Sequence, residues 1–313
     1  MPAMEIWSHD GTGWKAGERP GADVLWFALC GSRADDLSGL AARFNLHPLA
    51  VEDCLSPRTH APKIDEFPDH LFVIILAPLP GDDGPLLEEV DVFLGHSFII
   101  TYTDRADPQV DSVLGMLRGG RAFRPGPDGV LHEIADRVAD AFLPEVHGIA
   151  DRLDAIEEDI LTRPGDSMHS HRVVGLRSRA GQLRRYLGPQ LTVMQRLSRG
   201  EFPYVSEANR IYFRDIYDHH VRIDLSLEGV RDDAEVALST YLSAVNNRMS
   251  EVMKVLSVVA ALSLPLTVIS GIFGTNFDNV PLLHNRWGFV LMITAMGSLC
   301  ASMALYFRRK RWF

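Results

Sequence analysis

The sequence has few cysteines, and their positions exclude two common kinds of structural site. Cys30, Cys54 and Cys300 are the only three in 313 residues, and no two of them are closely spaced. A disulfide framework needs an even set of cysteines in a short chain, and a cysteine zinc site needs closely spaced pairs. The cysteine content is therefore typical of a protein in a reducing compartment.

Two segments near the C-terminus lack charged side chains altogether. Residues 255–273 and 287–307 contain no Asp, Glu, Lys, Arg or His. Runs of 18 or more such residues, at 1.5 Å per residue, are long enough to cross a hydrocarbon core of roughly 30 Å. A pair of buried core helices would have the same composition, but both runs are long, adjacent and C-terminal. The pattern predicts two transmembrane helices.

The N-terminus also lacks an apolar segment, and the charges at the other end predict how the spans are oriented. Residues 1–20 contain no hydrophobic core of a secretory signal sequence. Arg308, Arg309, Lys310 and Arg311 directly follow the second predicted span. Because short basic segments stay in the cytoplasm, we expect a multi-pass inner-membrane protein with both termini on the cytoplasmic side.

Positive charge is scarcer than negative charge. The sequence has 31 Lys and Arg against 41 Asp and Glu, a formal net charge of −10. This balance disfavours a nucleic-acid partner and suits a cationic ligand. We also find no nucleotide-binding loop, nucleophile elbow or pair of catalytic carboxylates, which disfavours an enzyme or an ATP-driven pump.

Proline and glycine are almost absent from one long stretch. Between Pro203 and Pro265 there is no proline, and Gly229 is the only glycine. The pattern predicts one helix of roughly 60 residues, or about 90 Å, that continues into the first span. Upstream, short β-branched and aromatic runs alternate with turns and a helical segment up to about residue 130, and helical spacing follows.

These patterns together predict an α+β membrane protein. It has an N-terminal α/β cytoplasmic domain, a very long stalk helix and two C-terminal transmembrane helices. The predicted boundaries are residues 1–200 for the cytoplasmic α/β and helical domain, 201–254 for the stalk, and 255–313 for the transmembrane domain with its basic tail.

Mostly small or weakly polar residues recur along the first predicted span at alternating four- and three-residue intervals. They are Met253, Ser257, Ala260, Leu264, Thr267, Gly271 and Gly274. The mean interval of 3.5 is the period of a left-handed supercoil. Such a stripe is expected at a tight helix–helix contact, and equally along a pore with narrow apolar rings at Met253 and Leu264. A pore would require a symmetric ring of subunits, since one helix cannot enclose it.

Two close pairs of histidines raise the question of a zinc site. His169 and His171 form one pair, and His219 and His220 form the other. Imidazole is a common zinc ligand, but neither pair has a third ligand at a fixed spacing. We therefore expect exposed histidines on helices.

Three segments resemble the CorA-type magnesium transporters. The stretch NNRMSEVMKVLSVVAALSLPLTVISGIFGTNF is similar to the family's first span, which ends in a Gly-Met-Asn signature. HPLAVEDCLSPRTHAPKIDEFPDHLFVIILAP and YFRDIYDHHVRIDLSLEGVRD are similar to an early cytoplasmic segment and to the start of the stalk, and the end of the chain matches too. The resemblance runs from about residue 45 onward. It implies a homopentamer in which the first span lines a central pore.

The resemblance implies a filter at the outer end of that pore. Gly274, Thr275 and Asn276 match the signature positions. A ring of Asn276 amide oxygens could accept hydrogen bonds from the water shell of Mg²⁺, which the ion sheds reluctantly. The basic tail would lie at the inner pore mouth and the lipid surface.

Three departures from the family pattern concern selectivity. Thr275 stands where the family usually has Met, and Leu282 stands where many members have Glu. Ser250 stands at the inner end of the pore, where relatives often have Asn. The lost carboxylate at position 282 is expected to weaken the attraction for cations outside.

The resemblance also implies control by intracellular divalent cations. Asp53 in AVED would face Asp215 in FRDIYD of the next subunit, with Glu52 and Asp136 nearby. Carboxylates held close together are costly unless a cation lies between them. Bound metal would therefore stabilise the closed ring, and scarcity of metal would loosen it.

The implied function is passive transport of divalent cations across the lipid bilayer. The ion would be Mg²⁺, as cargo and regulator, with Co²⁺ or Ni²⁺ as further candidates. A zinc transporter of the same architecture, proton-coupled or not, is the first alternative. A non-conducting membrane metal sensor is the second, although such a sensor would tolerate bulky apolar residues at Thr267 and Gly271.

Overall fold

The structure is a computed structural model of the chain, and it describes residues 4–31, 34–79, 86–121, 123–163, 166–275, 281 and 285–310. Its strands are β1 (Met4–His9), β2 (Trp14–Ala16), β3 (Val24–Cys30), β4 (Lys63–Glu66), β5 (Leu71–Leu79), β6 (Leu86–Leu94) and β7 (Phe98–Thr103). Its helices are α1 (Ala34–Phe44), α2 (Pro48–Cys54), α3 (Pro108–Arg118), α4 (Pro127–Thr162), α5 (Ser167–Ser198), α6 (Glu207–Phe273) and α7 (Gly288–Arg309). This order confirms the predicted α/β part followed by long helices.

The described strands form one seven-stranded sheet in the order β2-β1-β3-β7-β6-β5-β4. Strands β3 and β7 are parallel, and every other neighbouring pair is antiparallel. β5 is a continuous apolar run that is buried on both faces. A strand of this composition is typical of a sheet that is covered on both sides.

Hydrophobic side chains pack on both faces of the sheet. On one face, α1 and α2 place Leu37, Ala50 and Cys54 against Phe27 and Phe72. On the other face, helices α3, α4, α5 and the first part of α6 form a second, larger core. Each large apolar side chain that is buried contributes about 1.5–3 kcal/mol. Helices α2 and α6 therefore lie on opposite faces of the sheet.

The predicted long helix is present as α6, which has 67 residues. Just before it, the N–H and hydroxyl of Ser206 donate to Oδ2 of Asp128 at 2.8 and 2.6 Å, which ties the start of the helix to α4. The helix continues through Pro265 and ends at Phe273. Its sequence offers almost no glycine or proline to interrupt it earlier.

By its internal contacts, the chain divides into two compact units. The first unit comprises Met1–Glu157 and Met168–Leu238, and the second comprises Glu158–Ser167 and Ser239–Phe313. The first unit contains the sheet, and the second contains the C-terminal part of α6 and all of α7. The predicted boundaries at residues 200 and 254 divide the chain by function and not by contacts. They stay a prediction.

Two of the four histidines that were expected to be exposed are buried. His169 and His220 are 3% and 0% exposed, so the expectation is wrong for them. Both lie on the core-facing side of their helices, which a motif of two or three residues does not reveal. His171 is exposed and His219 is partly exposed. Among the described residues, no group of three His, Cys, Asp or Glu side chains is placed to hold a metal ion.

Candidate functional site

Two helices, α6 and α7, are long and apolar enough to cross a membrane. In each, only 6% of the apolar window is buried within the chain. The core helix of a soluble protein would bury most of this surface against its neighbours. The exposure therefore argues against a pair of buried core helices and favours the two predicted spans.

The candidate pore residues of α6 and its C-terminal end are all exposed in the single chain. They are Ser250, Met253, Ser257, Ala260, Leu264, Thr267, Gly271, Gly274 and Thr275. The shielded residues Val258, Ala261, Pro265 and Ile269 lie roughly 140° from this stripe, at 100° per residue around the helix. The stripe thus occupies a face of α6 that the rest of the chain leaves open.

The hydroxyl groups of the stripe are oriented by their own helix. Ser257 Oγ donates to the carbonyl oxygen of Met253 at 2.7 Å, and Thr267 Oγ1 donates to that of Ser263 at 3.0 Å. These bonds to the preceding turn use the hydroxyl hydrogens. The oxygen lone pairs remain as acceptors on the open face, where they suit a cation or its water shell.

The C-terminal end of α6 closes through short-range hydrogen bonds. The N–H of Gly274 donates to the carbonyl of Ser270 at 2.9 Å, and Thr275 Oγ1 donates to that of Ile272 at 2.8 Å. A Cβ on Gly274 would lie 3.2 Å from the Ser270 carbonyl oxygen. This close approach favours glycine at position 274. A left-handed backbone is not the reason, because Gly274 does not have one.

Some predicted residues lie outside the described residues, namely Asn276, Leu282 and Arg311. The structure describes the rest of the basic tail. Arg308 and Arg309 lie in the last turn of α7, and Lys310 directly follows the helix. All three are exposed. Cationic side chains at this position also interact favourably with the helix dipole.

Helix α2 carries two of the four predicted regulatory carboxylates. Glu52 is exposed and Asp53 is partly exposed. Asp53 Oδ2 accepts a hydrogen bond from Lys63 Nζ at 2.8 Å, and its Oδ1 lies 3.7 Å from Nε2 of His60. Asp53 therefore has a cationic partner within its own chain, and a metal ion would compete with Lys63 for it.

The other two predicted carboxylates lie on α4 and α6, on the opposite face of the sheet. The Asp215 side chain is 68% exposed, and its Oδ2 lies 3.9 Å from Nε2 of His219. Burial, and then the neighbouring Asp140, raise the pKa of Asp136. Burial lowers the pKa of His132, while the charges of Asp136 and Asp215 act to raise it. Asp136 and Asp215 thus both lie near His132, away from the carboxylates of α2.

Four further carboxylates, those of Glu88, Glu89, Asp91 and Asp104, line a pocket beside α2. The carboxylates on β6 do not stand out in the sequence, because acidic residues among apolar ones are the ordinary pattern of a half-exposed strand. Asp104 follows β7, where an acidic residue is equally ordinary. One signal could have indicated them. The preceding strand β5 is apolar throughout, so both faces of the sheet had to be covered at this point.

Comparisons with known proteins agree with this geometry. A family model described as "CorA-like Mg2+ transporter protein" matches residues 21–309. The cobalt/magnesium transport protein CorA of Thermotoga maritima is 30% identical over 299 residues, which cover 94% of this chain and 85% of that protein. The zinc transport protein ZntB of Yersinia pseudotuberculosis is 25% identical over 277 residues, which cover 85% of this chain and 81% of that protein.

A solved structure confirms the predicted architecture. The complete CorA magnesium transporter of Methanocaldococcus jannaschii matches with a TM-score of 0.87, over 100% of this chain and 99% of that one. At 19% identity this likeness shows the fold alone. The family match, which spans nearly the whole sequence, shows the rest: the chain belongs to the CorA-like family and is a divalent cation transporter of a membrane.

Proposed function

We propose that the chain assembles into a homopentamer whose α6 helices surround a central pore for Mg²⁺, with Co²⁺ or Ni²⁺ as further cargo. The observation that carries this proposal is the stripe from Ser250 to Thr275, in which every residue is exposed and only Met253 and Leu264 are bulky and apolar. A single helix cannot enclose a pore, so the open face calls for further copies of the chain. Five copies is the number that the family resemblance implies.

The pore positions have distinct roles from the outside inward. Asn276 amide oxygens accept hydrogen bonds from the water shell of Mg²⁺, which the ion sheds reluctantly. The hydroxyl oxygens of Thr267 and Ser257 are the next acceptors. The side chains of Leu264 and Met253 form apolar rings that stop conduction when they lose water.

The membrane potential supplies the driving force in this proposal. A potential of 100 mV, negative inside, favours entry of a divalent ion by about 4.6 kcal/mol. No ATP is then required. The basic residues at the C-terminal end of α7 and directly after it orient the chain with both termini in the cytoplasm of an inner membrane.

Two half-sites on opposite faces of the sheet support gating by internal divalent cations. Asp53 lies on α2 and Asp215 on α6, and within one chain the sheet separates these helices. A site that uses both carboxylates therefore has to join two chains, with Glu52 and Asp136 beside it. A cation between them stabilises the closed ring, and its loss at low internal concentration releases the ring.

Zinc transport by the same architecture, proton-coupled or not, is the second candidate. The similarity to a zinc transport protein over most of the chain favours it. Thr275 also replaces the methionine that is usual in the magnesium signature.

Uptake of ions into proteoliposomes tests the proposal. Under an inside-negative potential we expect Mg²⁺ uptake that does not depend on a pH gradient, whereas Zn²⁺ uptake that requires one would support the second candidate. We expect Asn276→Ala to lower Mg²⁺ flux at least tenfold, because the ring of acceptors for the hydrated ion is lost. Asn279→Ala, a neighbouring amide outside the triplet, is the matched control with nearly unchanged flux. Unchanged flux and selectivity in Asn276→Ala would rule out the filter.

A further inference from the structure

Within the first unit, helices α5 and α6 are joined by a seam of opposite charges. Arg184 donates to Asp224 from Nε at 2.8 Å and from Nη2 at 3.2 Å, and its Nη2 lies 3.3 Å from Oε2 of Glu228. Further along, Arg177 Nη2 donates to Oε1 of Glu235 at 2.8 Å. Both arginines belong to α5 and all three carboxylates to α6. Helix α5 therefore supplies the positive side of the seam and α6 the negative side.

Arg231 breaks this pattern. Asp224, Glu228, Arg231 and Glu235 follow one another at intervals of four, three and four residues, so they lie on the same face of α6. An arginine thus occupies one position in the row of carboxylates and faces a helix that is itself basic. Of the described residues, none forms an ion pair with Arg231. The seam therefore lacks a negative charge at this position.

An open groove of about 590 Å³ lies at the same place. Arg177, Arg184 and Arg185 of α5 line it together with Arg231 of α6, and its lining among the described residues includes no carboxylate. Gly181 of α5 lines it too, and a Cβ placed there would meet no neighbouring atom within 4 Å. The missing side chain at position 181 thus leaves space beside the arginines. A volume between about 300 and 1,000 Å³ is typical of small-molecule sites.

Two of the four arginines are free to bind a ligand. The other two are held by the carboxylates of α6, whereas Arg185 and Arg231 take part in none of the ion pairs that the described residues form. Arginine stays charged in proteins, and its planar fork of N–H donors matches the oxygens of a phosphate or carboxylate group. The lining therefore suits a ligand with several negatively charged oxygens.

We propose that this groove binds a soluble anion with two or more linked phosphate groups, such as pyrophosphate or the phosphates of a nucleotide. Arg185 and Arg231 are its charged donors, in bonds that are stronger than those between neutral groups. Two arginines on separate helices favour linked phosphates over a single one. Ser178 and Gln182 add a hydroxyl and an amide to the lining. The bound anion supplies the negative charge that the seam lacks, and so stabilises the contact between α5 and α6.

The site is separate from the proposed pore and from the proposed gating site. Its described lining residues lie at positions 174–185 of α5 and at position 231 of α6. None of them is a pore residue or a regulatory carboxylate of the transport proposal. A failure of the transport proposal would therefore leave this site in place, and the reverse also holds.

Titration calorimetry of the full chain in uncharged detergent micelles with sodium pyrophosphate tests the inference. Divalent cations are left out because they bind pyrophosphate, and the salt is kept at about 150 mM to screen unspecific attraction. We expect one pyrophosphate per chain, bound at least fivefold more weakly by Arg185→Gln and by Arg231→Gln. The matched control is Arg222→Gln, which removes an exposed arginine of α6. It lies nine residues from position 231, on the opposite side of the helix, and should bind as the original chain does.

Competition identifies the source of the phosphates. We expect ATP to displace pyrophosphate and adenosine, which has no phosphate, to leave it bound. Displacement by short-chain phosphatidylglycerol and not by ATP would assign the groove to a lipid headgroup and overturn the proposal of a soluble anion.

Thermal unfolding checks the fold of the variants. Without ligand, Arg231→Gln should melt no lower than the original chain, because it removes a positive charge that faces a basic helix. Pyrophosphate should raise its melting temperature less than that of the original chain, since a ligand stabilises the folded state according to its affinity. If Arg231→Gln does not fold, Arg185→Gln carries the test. Original affinity in the folded variants, or no saturable binding by the original chain, overturns the proposal.

Discussion

At the scale of single residues, a buried histidine links two helices and a strand of the first unit. His220 Nδ1 lies 2.9 Å from the carbonyl oxygen of Ile216, and its Nε2 lies 3.0 Å from Nε2 of Gln190. Gln190 Oε1 accepts the backbone N–H of Leu76 at 2.8 Å. Because a carbonyl only accepts, Nδ1 carries the proton and Nε2 accepts from the amide. The network therefore requires a neutral imidazole.

This requirement predicts a pH-dependent stability. Burial lowers the pKa of His220 to about 4, from 6.5 in an exposed histidine. Between these values the unfolded chain binds a proton that the folded chain does not, so stability falls as the pH drops from 6.5 towards 4. The original chain loses unfolding free energy when the pH is lowered from 7 to 4.5. We expect this loss to be about 2 kcal/mol smaller in His220→Asn.

Urea unfolding of the chain in detergent, followed by circular dichroism at the two pH values, measures this difference. The matched control is His171→Asn, which removes an exposed histidine of α5 and should leave the acid loss intact. Equal acid losses in His220→Asn and in the original chain would mean that another group titrates.

Single buried polar residues are also where prediction from the sequence fails. The spacing of α6 indicates a helix at His220, yet whether this position faces solvent depends on how the sheet and α5 pack against it. Asp91 fails in the same way, because the alternation on β6 fits a solvent-facing side that α2 in fact covers. Burial of a particular side chain is decided by tertiary packing, which local periodicity does not contain.

At the scale of elements, prediction from the sequence was more successful, because the type of an element depends on the residues along its whole length. The near absence of glycine and proline predicted the long helix, and α6 is that helix. Pro265 lies inside it, at the cost of one backbone hydrogen bond. Apolar spans tolerate such a residue because neighbouring groups satisfy the freed carbonyl.

The open face of α6 predicts where added bulk stops transport. Thr267→Leu would place five larger apolar side chains on the stripe and remove its hydroxyl acceptor, so we expect Mg²⁺ flux into proteoliposomes to fall at least tenfold. Val259→Leu adds bulk to the same helix away from the stripe, and Thr267→Ser keeps the hydroxyl, so both should retain most of the flux. Equal flux in Thr267→Leu and Val259→Leu would contradict a pore along this face.

At the scale of the whole molecule, one chain does not reveal how many copies the proposed assembly contains. The stripe and the two sets of carboxylates can be located by motif, and the structure places the carboxylate pairs on different faces of the sheet. The count of five comes only from the family resemblance, because no local pattern in a sequence encodes a rotation between subunits.

If Asp53 of one chain and Asp215 of the next hold one cation, removing either should have the same effect as removing both. We expect Asp53→Asn and Asp215→Asn each to weaken inhibition by Mg²⁺ on the cytoplasmic side at least fivefold, and the double variant to add little further, since carboxylates of one site do not contribute independently. Flux into proteoliposomes at rising cytoplasmic-side Mg²⁺ measures this inhibition. Asp151→Asn, an exposed carboxylate elsewhere on the first unit, is the control and should be inhibited normally. Additive effects would assign the two residues to separate sites, and unaltered inhibition in both single variants would remove gating by divalent cations from these positions.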